Sequence, residues 1–298
     1  VSKSGKFLGI GMKAVKPIIN SLGLNKRRKG HNLLGVIKGV PKEVGLSPAP
    51  DFPCQAEWII PKEENSAKII LFVHGGAYLS GSIISSRPVA GLLCQVTESR
   101  VLTFEYGLAP ENPFPRALED AVKVWKHLTK DYNPKNIVVV GESAGGGLAL
   151  ALGLYLKDNN MELPIGMVTL SAWADLTITN ESHKTLDKKD PILSSDELRI
   201  AALKYSHGEY LKNPYISPVY GDFTGFCPVL VHVGSDEVLL DDSKILYERL
   251  KEANVEAKLS IFEGMWHVWH GFEVPESIEA LNEIKEFMEG LSDGEEMV

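Results

Sequence analysis

Gly141-Glu142-Ser143-Ala144-Gly145 sets a serine between two glycines where one sequence pattern stops and another starts. The run before it, Asn136 to Val140 (NIVVV), is short, apolar and β-branched, which predicts a buried strand. The run after it, Ser143 to Lys157 (SAGGGLALALGLYLK), is rich in small and leucine-type residues and predicts a helix. A tight turn between strand and helix pushes the serine hydroxyl out above the sheet, where it can act as a nucleophile. Gly141 and Gly145 are expected there for a steric reason, because a Cβ would obstruct the close passage of backbone and helix. A glycine-rich helix start or an anion-binding turn reads the same from these five residues alone, so the assignment depends on what else the chain supplies.

A second motif supplies a partner for that chemistry. Lys68 to Val73 (KIILFV) is another buried-strand pattern and runs straight into His74-Gly75-Gly76-Ala77. A serine attacking an acyl carbonyl generates an oxyanion, which needs donors aimed at where the charge develops. Backbone N–H groups on a glycine-rich loop meet that need, since no side chain blocks approach. The N–H groups of Gly75 and Gly76, with that of Ala144 just after the serine, are the expected oxyanion hole. Each such donor is typically worth about 2.7–4 kcal/mol of barrier.

The acid and base are sought downstream, at the carboxyl ends of later strands, where catalytic groups of open α/β sheets gather. Val229 to Gly234 (VLVHVG) is a strand pattern followed by Ser235-Asp236-Glu237. Asp236, the first carboxylate there, is the favoured partner for an imidazole, with Glu237 its main rival. Asp241 and Asp242 fall in the first turn of the next helix, where acids suit the helix dipole without further function. Glu256 to Phe262 (EAKLSIF) leads into Glu263-Gly264-Met265-Trp266-His267-Val268-Trp269-His270. His267, soon after Gly264 breaks the strand, is favoured as general base over His270, which lies near the entry to the last helix.

These motifs together resemble the hormone-sensitive-lipase-like family of α/β-hydrolase carboxylesterases, from about Lys68 to Phe272. His74-Gly75-Gly76-Ala77 is similar to the family's His-Gly-Gly-Gly loop, with Ala77 replacing the last glycine. Gly141-Glu142-Ser143-Ala144-Gly145-Gly146 resembles its Gly-Asp-Ser-Ala-Gly-Gly elbow, with Glu142 in place of Asp. Tyr106 to Pro115 (YGLAPENPFP) is similar to a structural signature after its fourth strand, with Gly107 where Arg is usual. Ser217-Pro218 and Gly234-Ser235-Asp236-Glu237 also have counterparts. The resemblance implies Asp236 as acid and His267 as base, in agreement with their positions. Because that fold orders its triad as serine, acid, histidine, His74 precedes the serine too early to be the base. Its expected role is to hold the loop by hydrogen bonding.

Placing these residues requires one sheet and several helices. At 298 residues with 44% hydrophobic content, the chain is long enough to bury a large core as a single domain spanning 1–298. Strands alternating with helices predict an α/β fold, a mostly parallel central sheet flanked by helices. The resemblance makes this the α/β-hydrolase fold with a helical cap. Val101 to Glu105 and Ile165 to Ser171 complete the predicted strands; Pro115 to Lys130, Val238 to Ala253 and Phe272 to Leu291 complete the helices. Two segments stand outside the alternation, about 1–50 and 176–213. A long insertion beside an active site is commonly a lid or pocket wall, so the two are expected to form the cap.

Charge is uneven along the chain. The first thirty residues carry six lysines and two arginines with no acid, whereas the whole chain is at −8, leaving −16 on the remainder. Such a basic head, interleaved with Phe7, Ile10, Val15 and Ile18, fits two roles: contact with a membrane surface, or a cap helix packed on the core. The second is preferred. Lys13 and Lys16 interrupt the apolar run and no small-residue cleavage site follows, so a cytoplasmic location is expected. The acidic remainder speaks against nucleic acid as a partner. Three widely spaced cysteines, Cys54, Cys94 and Cys227, suggest neither a disulfide framework nor a metal site. No Walker loop or dinucleotide fingerprint is present, and the chemistry needs no cofactor. The expected function is that of a serine carboxylesterase acting on small, short-acyl-chain esters through Ser143, His267 and Asp236. Activity is expected to fall as pH drops through the ordinary imidazole range, because a base must be neutral. Pairing of family members through the edge strand near Ala257 to Phe262 makes a homodimer a further expectation.

Overall fold

The computed structural model describes residues 1–292. Eight strands form one sheet: β1 (Val44–Pro48), β2 (Ala56–Pro61), β3 (Ile69–Val73), β4 (Val101–Phe104), β5 (Ile137–Glu142), β6 (Gly166–Leu170), β7 (Val229–Gly234) and β8 (Ala257–Phe262). Their spatial order is β1-β2-β4-β3-β5-β6-β7-β8. The β1–β2 and β2–β4 pairs are antiparallel and all later pairs are parallel. This is the α/β-hydrolase arrangement expected above. The helices are α1 (Lys3–Ser21), α2 (Leu24–Lys38), α3 (Ile83–Thr97), α4 (Arg116–Leu128), α5 (Ala144–Asp158), α6 (Ser182–Thr185), α7 (Ser195–Ser206), α8 (Leu240–Glu252) and α9 (Pro275–Gly290).

Strands β3, β4, β6 and β7 are buried along their whole length, and β5 up to its last residue, which is why they read as apolar runs rather than alternations. Two apolar layers sandwich them. One is built with α4 and α5 around Val124, Trp125, Leu148 and Leu152; the other with α3 and α9 around Ala90, Leu93, Leu281 and Ile284. Strand β3 has β4 on one side and β5 on the other, so successive connections leave in opposite directions around it. A crevice opens at the carboxyl ends of the strands beside such a switch point.

Register fixes which loops meet in that crevice. Val73 pairs with Gly141 and Glu142 with Leu170, so the segments beginning at His74, Ser143 and Ser171 emerge side by side. Gly234 pairs with Phe262, which brings the loop holding Asp236 and Glu237 next to the loop holding His267.

Three elements depart from the sequence expectations. Helix α3 (IISSRPVAGLLCQVT) carries Pro88, Gly91 and β-branched residues that obscure its period. It is started by a capping box in which Ser82 and Ser85 satisfy each other's backbone N–H groups. Strands β1 and β2 are short and proline-flanked. Since β1 belongs to the sheet, residues 44–48 do not share the helical character expected of segment 1–50. Among the described residues, no helix is long and apolar enough to cross a membrane.

Candidate active site

The serine sits on a strained turn. Ser143 has φ 55° and ψ −124°, between the end of β5 and the first residue of α5. A non-glycine residue held there costs on the order of 1–3 kcal/mol, which the surrounding packing must offset. The neighbouring glycines make the turn feasible. A Cβ on Gly145 would lie 2.2 Å from the Val73 carbonyl oxygen, and one on Gly141 would lie 2.3 Å from that of Gly145. Both contacts are with backbone, so neither position admits a side chain. The turn is tied to β6 by the Ser143 N–H donating to Leu170 O at 2.9 Å.

His267 reaches the serine from the loop after β8. Its Nε2 lies 2.8 Å from Ser143 Oγ and its Nδ1 lies 2.8 Å from Glu237 Oε2. The acid facing the imidazole is therefore Glu237 and not Asp236, which corrects the sequence expectation. The Asp236 side chain is part-exposed; Lys189 Nζ lies 2.7 Å from its Oδ1, which also accepts from Ser235 Oγ at 2.9 Å. Glu237 is fully buried, and its Oε1 accepts from Ser171 Oγ and from the Gly234 N–H, both at 2.7 Å. The Asp236 N–H donates to Met265 O at 3.0 Å. This turn leaves the first carboxylate facing Lys189 and sends the second inward, where the longer glutamate arm spans to the imidazole.

The other candidates fall elsewhere. His270 is buried against His232, with Nε2 3.3 Å from His232 Nδ1, and burial holds its pKa well below the usual imidazole range. His74 stacks on Tyr106 with ring centroids 4.1 Å apart, its Nδ1 lies 2.9 Å from Gly75 O, and Tyr106 Oη donates to its carbonyl at 2.8 Å. Burial lowers the His74 pKa to about 4, so it holds the loop as a neutral ring. Asp241 and Asp242 do more than face a helix dipole. Asp242 accepts from the Asp175 N–H at 3.0 Å and from Asn180 Nδ2 at 2.9 Å, and Asp241 accepts from the Ser182 N–H at 2.7 Å. They anchor the start of the 176–213 segment to α8.

The glycine-rich loop also differs from expectation. The Gly75 N–H donates to Glu142 Oε1 at 3.0 Å and is thereby engaged. Burial raises the Glu142 pKa to about 7, with the Gly75 N–H and His267 opposing that rise. The next three residues all have positive φ: Gly76 at 116°, Ala77 at 55° and Tyr78 at 58°. A Cβ on Gly76 would lie 2.1 Å from Ser80 O, so this curl requires glycine. The N–H groups of Gly76, Ala77 and Ala144 donate no hydrogen bond among the described residues. The Tyr78 N–H is likewise unengaged among them, so the free donors on this loop begin at Gly76 and Ala77, not at Gly75.

Several contributors were not legible in the sequence. Ser171 Oγ donates to Glu237 and accepts from the Val268 N–H at 3.1 Å, bridging the acid and the histidine loop. Asp190 is buried; its Oδ2 accepts from the Val238 N–H at 3.0 Å, next to Glu237, while its Oδ1 accepts from Ile192 and Leu193. Burial raises its pKa to about 6. Lys16 of α1 donates to the carbonyls of Asp187, Asp190 and Leu193, and Arg27 of α2 pairs with Glu197 of α7. Tyr205 of α7 stacks on Tyr78 with centroids 3.7 Å apart. The two segments outside the alternation are thus joined to each other and to the loops around Ser143. Of these contributors, Asp190 has a local signal, since Asp190-Pro191 is a helix-breaking pair inside the 176–213 segment.

Comparison with known proteins shows the family to which the chain belongs. Residues 70–271 match the protein family described as alpha/beta hydrolase fold. An acetyl-hydrolase of Streptomyces hygroscopicus is 36% identical over 231 residues, covering 76% of this chain and 77% of that protein. An esterase of Acinetobacter venetianus is 36% identical over 236 residues, covering 78% of each. Among solved structures, an esterase from the bacterial hormone-sensitive lipase family superposes with a TM-score of 0.92 at 32% identity, covering 98% of this chain and 99% of that one. An esterase/lipase from an uncultured bacterium gives a TM-score of 0.86 at 34% identity, covering 93% and 97%.

Proposed function

We propose, from the premise that this chain belongs to the hormone-sensitive-lipase-like family of α/β-hydrolase carboxylesterases and is a carboxylic ester hydrolase, that it cleaves small, short-acyl-chain esters through Ser143, His267 and Glu237. Ser143 Oγ attacks the ester carbonyl as His267 Nε2 takes its proton. Glu237 fixes the tautomer with the other proton on Nδ1 and stabilises the imidazolium. The N–H groups of Gly76, Ala77 and Ala144 receive the oxyanion. His267 then protonates the leaving alcohol, and water attacks the acyl-enzyme by the same route to release the acid.

The observation that carries this reading is the continuous line from Glu237 Oε2 to His267 to Ser143 Oγ, with both gaps at 2.8 Å. The name of the acetyl-hydrolase relative supports a short acyl group. In this reading residues 1–38 and 176–213 act as a cap that limits water and sets the acyl pocket. The open edge strand β8, with Ile261 exposed, is the surface for a homodimer, readable by sedimentation.

A series of p-nitrophenyl esters from acetate to long-chain acyl groups tests the proposal on purified protein. The expected profile peaks at the short end and disappears after a serine-directed phosphonate. Ser143→Ala is expected to lose roughly 10⁴–10⁶ in kcat while keeping its melting temperature. Burst release of p-nitrophenol from that variant would remove Ser143 as nucleophile.

A further inference from the structure

Helix α1 has two apolar faces, and only one of them is used. Its inner face carries Gly5, Leu8, Gly9 and Met12, at helical spacing. A Cβ on Gly5 would meet Met265 at 3.2 Å, one on Gly9 would meet Trp266 at 3.5 Å, and Leu8 and Met12 pack on the same cluster. The opposite side carries Phe7, Ile10 and Ile18, which are 78%, 71% and 63% exposed. Helix α2 repeats the theme. It packs on α3 through Gly35, while Leu33, Val36 and Ile37 remain exposed. Of the sixteen exposed large hydrophobic residues among the described ones, ten lie in the first 38 positions. A water-facing surface rarely concentrates its apolar residues in this way.

Charge on the same two helices says what covers them. The chain has no Asp or Glu before Glu43. Arg27 and Arg28 are paired with Glu197 and Glu111, and Lys16 is spent on backbone carbonyls. Lys3, Lys6, Lys13, Lys26 and Lys29 have no ion pair among the described residues. Exposed aliphatic and aromatic residues interleaved with unpaired lysines are the composition of a helix that lies in a lipid headgroup region. A symmetric pairing of two copies through this face would set lysines against lysines with no acid between them. We propose that the outer face of α1 and α2 docks on an anionic phospholipid bilayer. Phe7, Ile10, Leu33 and Ile37 enter the headgroup boundary, and the lysines meet the phosphates.

The consequence for the site is positional. The inner face of α1 rests on Met265 and Trp266, immediately before His267, so docking would set the catalytic loop just behind the lipid-facing helix. The use made of that proximity rests on the esterase reading, but the docking itself does not.

Vesicle flotation with the full chain tests the proposal. The probes are phosphatidylcholine vesicles with and without phosphatidylglycerol, each at low and high salt. Binding is expected only to the anionic vesicles, at least about tenfold above phosphatidylcholine alone, and weakened by salt. Phe7→Ser with Ile10→Ser is expected to cut binding at least about tenfold. Lys6→Glu and Lys13→Glu are each expected to cut it about fivefold or more. All of these variants should keep the melting temperature and circular dichroism of the unaltered protein, which reports that the fold is intact, since the substituted side chains lie on the outer face of α1. Equal binding to both vesicle types, binding to neither, or full binding by the Phe7/Ile10 variant overturns the proposal. So does a concentration-dependent dimer that Phe7→Ser abolishes, which would assign the face to a second copy.

Discussion

Asp236 and Glu237 are adjacent carboxylates on one turn, yet their surroundings are opposite. Asp236 is part-exposed and held by Lys189, whereas Glu237 is fully buried and bonded to His267, Ser171 and the Gly234 N–H. A buried acceptor with three donors around it orients an imidazole far better than a solvated one that already has a cation. Glu237→Gln should therefore lower kcat/KM by about 10⁴-fold, because the amide no longer stabilises the imidazolium. Asp236→Asn should change it by no more than about threefold, since exposed ion pairs contribute little. Steady-state kinetics on the two variants decides the matter, and the reverse ranking would return the role to Asp236. Both carboxylates are equally visible in Gly234-Ser235-Asp236-Glu237. Which one turns inward depends on the Asp236 N–H bonding to Met265 O, a contact between distant loops that local sequence does not encode.

Single helices meet the body of the protein through points where no side chain fits. A Cβ on Gly35 of α2 would lie 2.0 Å from the carbonyl oxygen of Ile84, at the start of α3. Gly35→Ala is expected to push α2 off α3, in spite of alanine's better helix propensity. Limited proteolysis should then cleave within the first 42 residues well before global unfolding. Gly30→Ala is the control, for a Cβ there meets nothing within 4 Å and should leave protection unchanged or improved. Equal protease resistance in both variants would show that this contact does not hold the helix. Elements with long apolar runs, such as β3, β5 and β7, were legible because burial on both faces leaves a plain signal. Helix α3 and the β1–β2 hairpin were not, since serines, prolines and glycines masked their periods.

Folding the whole chain removes several carboxyl groups from water, and this ties stability to pH. Burial raises Glu142 to about 7 and Asp190 to about 6. A carboxyl whose folded pKa is raised holds its proton longer when folded, so its contribution is fully present below the unfolded value. That contribution is lost as pH climbs through the folded value. For Glu142 the window runs from the ordinary glutamate range up to about pH 7. Buried His74, His232 and His270, lowered by burial, act in the other direction over an overlapping range. The total curve mixes both, so the informative quantity is a difference between variants. Glu142→Gln keeps an acceptor for the Gly75 N–H and removes the titration. Its melting temperature should gain on that of the unaltered protein as pH rises through this window, then hold a constant lead above it. A gap independent of pH would mean that Glu142 is ionised throughout.

The chemistry-bearing residue types and the strand ends that carry them were written locally: Ser143 between glycines, His267 after β8, and a carboxylate after β7. Steric demands on a turn and burial of a strand act within a few residues, so sequence records them. The tertiary structure alone decided which of two neighbouring acids faces the imidazole, and that Glu142 engages the Gly75 N–H while those of Gly76 and Ala77 stay free among the described residues. It also decided that Lys16 would fasten one end of the chain to a segment some 170 positions away. Those outcomes depend on sheet register and on hydrogen bonds between loops distant in the chain, where a shift of a single residue exchanges one partner for another.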